Sequence, residues 1–251
     1  MAGAAHLRGG KAMPSTRFDP AVHGFRFPNR FPGGAVIGEI NRQGRLSELT
    51  GIGIPRAVRQ LAGMTQEARF WGTFGLCGGM SWAALDRFLA GSEAPAETSS
   101  PQPGSELFSE LVKRQVDSMR RQQMIGRCLT WQLLPAKAPW WLPWTEGILK
   151  KTGQREWPVL RSSLDQKVPV SLTLIRVAGV ADPSDNHQVV AIGYERETNG
   201  VVMVRLYDPN HPRSDVSLRL RFDSKGNLTG CSQSTGEPLR GFFVWSYQPP
   251  G

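Results

Sequence analysis

Cys77 stands in the run Gly75-Leu76-Cys77-Gly78-Gly79-Met80, directly ahead of residues with helical spacing. The thiolate is the nucleophilic form of cysteine, and the positive end of a helix dipole favours it. Gly78 and Gly79 are expected to let backbone approach a ligand closely. A thiol nucleophile needs a base, and the chain has four histidines. His6 and His23 fall in an irregular N-terminal stretch, and His211 follows Asn210 in a turn-like segment. His187 is different: it heads a strongly β run, His187–Tyr194, after the polar loop 182–186. A histidine at the start of a strand, on a sheet rim, can project into a cleft. The chemistry would be attack by Cys77 on a carbonyl, with His187 taking the proton and a third group orienting the ring.

The third group comes from Tyr207-Asp208-Pro209-Asn210. Residues 195–200 are polar and end in Asn199-Gly200, a hairpin signal. If Tyr194 pairs with Val201 across a wide loop, Asp208 falls opposite His187. A tight Asn199-Gly200 turn instead sets Asp208 opposite Ala191 and Asn210 opposite Val189. The wide loop is favoured, with Asp208 as the orienting group and Asn210 as the alternative. An ionised Asp also stabilises the imidazolium.

These residues need elements to hold them. Cys77–Ala90 reads as a helix with Met80, Ala84 and Phe88 on one face. Residues 105–124 read as a second helix, with Ser105 as N-cap, Leu107, Leu111 and Val112 inward, and Lys113, Arg114, Arg120 and Arg121 on wet faces. A third helix is expected within 55–70, opening at Pro55. A short helix from Trp157 leads into a strand at Val168–Ile175. Further strands follow at His187–Tyr194, Val201–Tyr207, Val216–Phe222 and Gly241–Tyr247. Val216–Phe222 alternates apolar and polar residues, as one wet sheet face requires. Phe25–Asn29 is a candidate edge strand. Helices first and strands later indicate an α+β fold. Residues 91–105 are a surface loop by composition. Five of the eight tryptophans lie between 131 and 157, interleaved with Pro135, Pro139 and Pro143. That segment is expected to be irregular, filling a core, forming the aromatic wall of a binding cleft or making a membrane-surface patch.

The 251 residues are ample for a buried core. Cysteines at 77, 128 and 231 are too sparse for a disulfide framework, and no pair has zinc-ligand spacing. No metal and no cofactor is therefore expected. Cys128 is expected to pack as a small apolar residue, and Cys231 to sit in a turn. The net charge is +9, and residues 1–70, with ten basic and four acidic side chains, carry most of it. Contact with an anionic surface through that region is a candidate role, but nucleic-acid binding rests on charge alone and is disfavoured. No apolar run approaches the ~20 residues of a membrane span. The first residues lack the apolar core of a secretory signal, so a reducing, cytoplasmic location is expected, with a leaderless export route left open.

Gly-Leu-Cys-Gly-Gly opening a helix, then Val168-Pro169-Val170, Asn186-His187-Gln188-Val189-Val190 and Leu206-Tyr207-Asp208-Pro209, resembles a papain-like cysteine peptidase. The Asp-Pro after the second strand is most similar to the peptidase domains of bacteriocin-exporting transporters. The likeness spans roughly residues 66–247. It implies an N-terminal helical layer carrying Cys77, packed on a C-terminal antiparallel sheet carrying His187 and Asp208, with the active site in the cleft between them. Residues 1–65 would then be an N-terminal extension or a prosegment, and 66–251 the catalytic domain. It implies Cys77 as nucleophile, His187 as base and then acid, and Asp208 or Asn210 as orienter. The family usually has a Gln about six residues before the Cys to complete the oxyanion hole; here that position is Trp71. Gln66, Trp71, Thr73 and Gln188 are the candidate substitutes, and loss of such a donor slows catalysis by ~10²–10³.

The expected function is a cysteine-nucleophile hydrolase, a peptidase or amidase acting through a thioester acyl-enzyme on a peptide or amide-bearing substrate. The alternatives are a transferase or deamidase of the same fold, and a non-catalytic binding module that uses the Trp-rich segment.

Overall fold

The computed structural model describes residues 14–45, 48, 73–119, 123–137 and 146–250. The helix expected within 55–70 lies outside these residues. In chain order the first elements are α1 (Pro20–His23), β1 (Phe31–Pro32), α2 (Gly33–Arg42), β2 (Thr73–Phe74) and α3 (Cys77–Leu89). Next come α4 (Glu106–Met119), α5 (Gln123–Gln132), α6 (Ile148–Lys151) and α7 (Trp157–Asp165), the last two joined by a π-helical turn. The strands β3 (Val170–Ile175), β4 (His187–Arg196), β5 (Val201–Tyr207), β6 (Val216–Phe222), β7 (Leu228–Gln233) and β8 (Gly241–Val244) complete the order. The class is α+β.

Strands β3 to β8 form one antiparallel sheet in the order β7-β6-β5-β4-β3-β8. Every residue of β4 from His187 to Tyr194 is buried, so its apolar run reflects a central strand covered on both faces. On β6 the alternation holds: Val216, Leu218 and Leu220 are buried and Arg219 and Arg221 exposed. Strand β7 was not legible in the sequence. Cys231, expected in a turn, lies in it opposite Leu220. Its Thr, Gly and Ser neighbours carry a turn-like composition, yet the β6 edge still pairs with them.

Three apolar clusters involve the sheet, and two of them share strand β4. Val190, Ile192 and Tyr207 pack with Met80, Ala84, Leu111 and Val112 of α3 and α4. Val189, Ala191 and Leu206 pack with Trp157, Leu160 and Leu164 of α7. Alternate residues of β4 thus serve opposite layers, as a pleated strand dictates. Ser105 caps α4 by accepting from Phe108 N at 3.2 Å.

The stretch from Pro14 to Pro32 crosses this framework. Ser15 bridges to Gly193, Thr16 N donates to Ile192 O at 2.8 Å, and Phe25 N donates to the Tyr207 hydroxyl at 3.1 Å. Phe18, Phe25, Phe27 and Phe31 are buried in the same cluster as α3 and α4. Phe25–Asn29 is not a strand; the pairing falls at Phe31–Pro32, against Thr73–Phe74. Burial of alternate phenylalanines gave the strand-like pattern without a ladder.

Two further expectations are corrected. Arg114, expected on a wet face, is 3% exposed and held by Asp86 at 2.7 Å and Asp117 at 3.0 Å. Its guanidinium lies over the Trp82 ring. Trp131, expected in an irregular segment, lies in helix α5, while Trp157 opens α7 as expected; the rings are buried against Phe243 and Tyr194 respectively. These two rings fill core and are closed to a partner, while Trp140, Trp141 and Trp144 lie outside the described residues. Among the described residues, no helix is long and apolar enough to cross a membrane.

Candidate functional site

Helix α3 begins at Cys77, with Leu76 as N-cap and no side-chain bond from the cap residue itself. Its first turn is satisfied from elsewhere. Gln115 Oε1 accepts from Gly79 N at 2.9 Å, and Asn29 Oδ1 accepts from Leu76 N at 2.6 Å. Gly78 and Gly79 have a different use from the one expected. A Cβ on Gly78 would lie 1.9 Å from Gln188 Oε1 and 2.2 Å from Ser118 Oγ. One on Gly79 would lie 2.2 Å from Leu111 O. The glycines let α3 press onto β4 and α4, and that approach carries Cys77 to the rim of β4.

There Gln188 N donates to Cys77 Sγ at 3.4 Å. Burial pushes the Cys77 thiol up, but the hydrogen bond and charge of His187 and the backbone N–H groups of Gln188 and Gly78 outweigh it, leaving the thiol below its ordinary value. Cys77 itself is half-buried.

His187 Nε2 lies 2.6 Å from Asp208 Oδ1, and both side chains are almost wholly buried. That contact leaves Nδ1 as the nitrogen for Cys77. Burial works to lower the His187 pKa, yet the Asp208 carboxylate and the sulfur raise it to about 9. Burial works to raise Asp208, and the His187 charge more than reverses this. Opposite shifts in a thiol and an imidazole favour a thiolate–imidazolium pair. Asp208 also accepts from Asn210 N on Oδ1 at 2.8 Å and from Gln233 Nε2 on Oδ2 at 2.9 Å.

The register behind this contact matches neither expected hairpin. Strand β4 runs on to Arg196, Tyr194 pairs with Val204, and a bulge falls between Ala191 and Gly193. Val190 pairs with Tyr207, so Asp208 follows on opposite Val189, diagonal to His187. Diagonal neighbours on one face are within side-chain reach. The wide-loop pairing of Tyr194 with Val201 is therefore corrected, although Asp208 reaches His187 all the same. The imidazole is hydrogen-bonded to Asp208 and not to Asn210, whose Oδ1 accepts from Asn29 Nδ2 at 2.8 Å.

Of the oxyanion candidates, Gln66 and Trp71 lie outside the described residues. Thr73 is in β2, paired with Pro32. Gln188 meets the sulfur through its backbone, and its side-chain Oε1 lies 3.0 Å from Ser118 Oγ. Sequence reasoning missed Asn29, Gln115 and Gln233; all three act across long separations, and no local pattern marks them.

Cys77 and His187 line a cleft of about 490 Å³, with Asn29, Arg176, Asn210 and Glu237 on its walls. Asp208, His211 and Glu237 each bring one potential metal-ligand atom within 4.8 Å of the others. Hydrogen bonds already occupy these groups: His211 Nε2 and Arg176 Nη2 contact Glu237 Oε2 at 3.0 and 2.9 Å. A cation there would have to displace the partners that hold Asp208 and Glu237.

No family model, no curated protein and no solved structure matches the chain.

Proposed function

We propose that the protein is a cysteine-nucleophile hydrolase, a peptidase or amidase of papain-like construction working through a thioester acyl-enzyme. The observation that carries this reading is the 2.6 Å contact of a buried His187 with a buried Asp208, beside a thiol held below its ordinary pKa at a helix N-terminus. Cys77 Sγ attacks the substrate carbonyl carbon and the carbonyl π pair moves onto oxygen. His187 then passes its proton to the leaving amine as the C–N bond breaks, which leaves the acyl group on sulfur. Water, deprotonated by His187, adds to the thioester carbonyl, and collapse of the adduct breaks the C–S bond, releasing the acid and restoring the Cys77 thiolate beside the protonated His187. Asp208 holds the ring and stabilises its charged form.

The substrate is a peptide or amide-bearing chain that can lie in the cleft. Alkylation by iodoacetamide across pH tests the thiol directly. Cys77 should react well below the ordinary thiol pKa of ~8.5, while Cys128 and Cys231, pushed up to about 12 by burial, should not. Peptide hydrolysis that survives Cys77→Ala, or a Cys77 no more reactive than the other two thiols, would remove the reading.

A further inference from the structure

We propose that Asn29 is a positioning residue of this site, fastening the start of the nucleophile's helix to the turn that carries Asp208. The inference rests on the thiol-hydrolase reading and adds a residue from the N-terminal stretch to its working parts.

The carboxamide of Asn29 faces both ways. Its Oδ1 accepts from Leu76 N at 2.6 Å, next to Cys77. Its Nδ2 donates to Asn210 Oδ1 at 2.8 Å, and Asn210 N donates in turn to Asp208 Oδ1 at 2.8 Å. Asp208 Oδ1 is the atom that meets His187 Nε2. One hydrogen-bonded path thus joins the nucleophile's helix to the base through its acid. The partners of Asn29 are 47 and 181 residues away in sequence, so the link joins parts that no local structure would hold together.

Asn suits the position because a short, flat amide offers an acceptor and a donor on neighbouring atoms. The space for it is left by Gly75, where a Cβ would lie 3.1 Å from Asn29 Nδ2. The backbone on either side is anchored by Phe27 and Phe31, both essentially fully buried, so the amide is delivered from a fixed point. Both Asn29 and Asn210 line the cleft with Cys77 and His187. A thiol and an imidazole react in concert only when their separation is held, and small misplacements are expensive in rate.

The test needs no knowledge of the natural substrate. The rate of Cys77 alkylation by iodoacetamide is measured against pH in the wild type, Asn29→Ala, Asn210→Ala and the double variant, with thermal melts alongside. Each single substitution should slow alkylation at about pH 6 by about fivefold, the size of one hydrogen bond, and move the reactivity midpoint upward. The double variant should be no slower than Asn29→Ala alone, because Asn210→Ala cuts a link that Asn29→Ala already removes. Additive losses, or a wild-type pH profile in a folded Asn29→Ala protein whatever its melting temperature, would overturn the proposal. Should Asn29→Ala not fold, Asn210→Ala decides alone: it leaves the Leu76 bond and the phenylalanine packing in place, and a wild-type profile there is a refutation. A wild-type Cys77 without reactivity below the ordinary thiol range would instead overturn the hydrolase reading, and the inference with it.

Discussion

Replacing Asp208 with Asn keeps the shape of the side chain and removes its charge. In the wild type the pKa of His187 is raised from 6.5 to about 9, against burial that would otherwise lower it. At ~1.36 kcal/mol per unit, that difference is on the order of 3 kcal/mol in favour of the imidazolium. The sign follows from the two shifts. Above the lowered Cys77 midpoint the thiolate forms beside a protonated His187, and the pair persists until the ring loses its proton at about 9. Asn cannot hold that proton on the ring. With its oxygen kept toward His187 and Asn210, it also sets an N–H₂ against the Gln233 amide that donates to Oδ2 in the wild type. Without an imidazolium beside it, the half-buried thiol moves back up, because only the backbone N–H groups of Gln188 and Gly78 then oppose burial. Loss of the ~3 kcal/mol that favours the imidazolium should slow alkylation at about pH 6 by roughly 10²-fold. The assay is iodoacetamide alkylation followed by peptide mass mapping, with Cys128 and Cys231 as unreactive references in the same sample. An Asp208→Asn protein that is folded by circular dichroism and still alkylates at wild-type rate in mild acid would refute the argument.

Gly78→Ala should destabilise the fold by about 1–3 kcal/mol in urea titrations, since the added methyl meets Gln188 and Ser118 at less than contact distance. The double variant Cys128→Ser, Cys231→Ser should keep the low-pH alkylation of Cys77. It should lose about 1–2 kcal/mol of stability, because the Cys128 sulfur is buried with Met124 Sδ at 3.4 Å and a hydroxyl there is poorly matched. Arg114→Ala should lower stability by about 3 kcal/mol by chemical denaturation, since it strips Asp86 and Asp117 of a buried cation.

The α+β order was legible because the 3.6-residue spacing of 77–90 and 105–119 and the alternation of β6 are carried by adjacent residues. Cys77, His187 and Asp208 stood out for a related reason: each sits where one element ends and another begins, and the local sequence marks such junctions. The register between β4 and β5 was not legible, because it turns on a bulge after Ala191 that lies where the N-terminal stretch bridges to Gly193, a contact between distant parts of the chain. Gln233 was hidden in a strand whose composition resembles a turn. Arg114 was misread because a helical pattern shows that a charge lies off the apolar stripe, and says nothing of the carboxylates and rings waiting on the neighbouring elements.

The long reach of these contacts also orders events in time. Gln188 and Cys77 are 111 residues apart, and Thr16 finds Ile192 across 176. At ~5–20 residues per second of synthesis, roughly 6–22 s pass between the emergence of Cys77 and that of the strand it leans on. Through that interval the thiol has neither imidazole nor acid beside it, and the buried phenylalanines have no β4–β5 hairpin to rest against. Contacts of such high sequence separation form slowly. A nascent chain thus carries Cys77 without its imidazole and carboxylate neighbours until the hairpin docks, so the order of synthesis sets when the site can first be assembled.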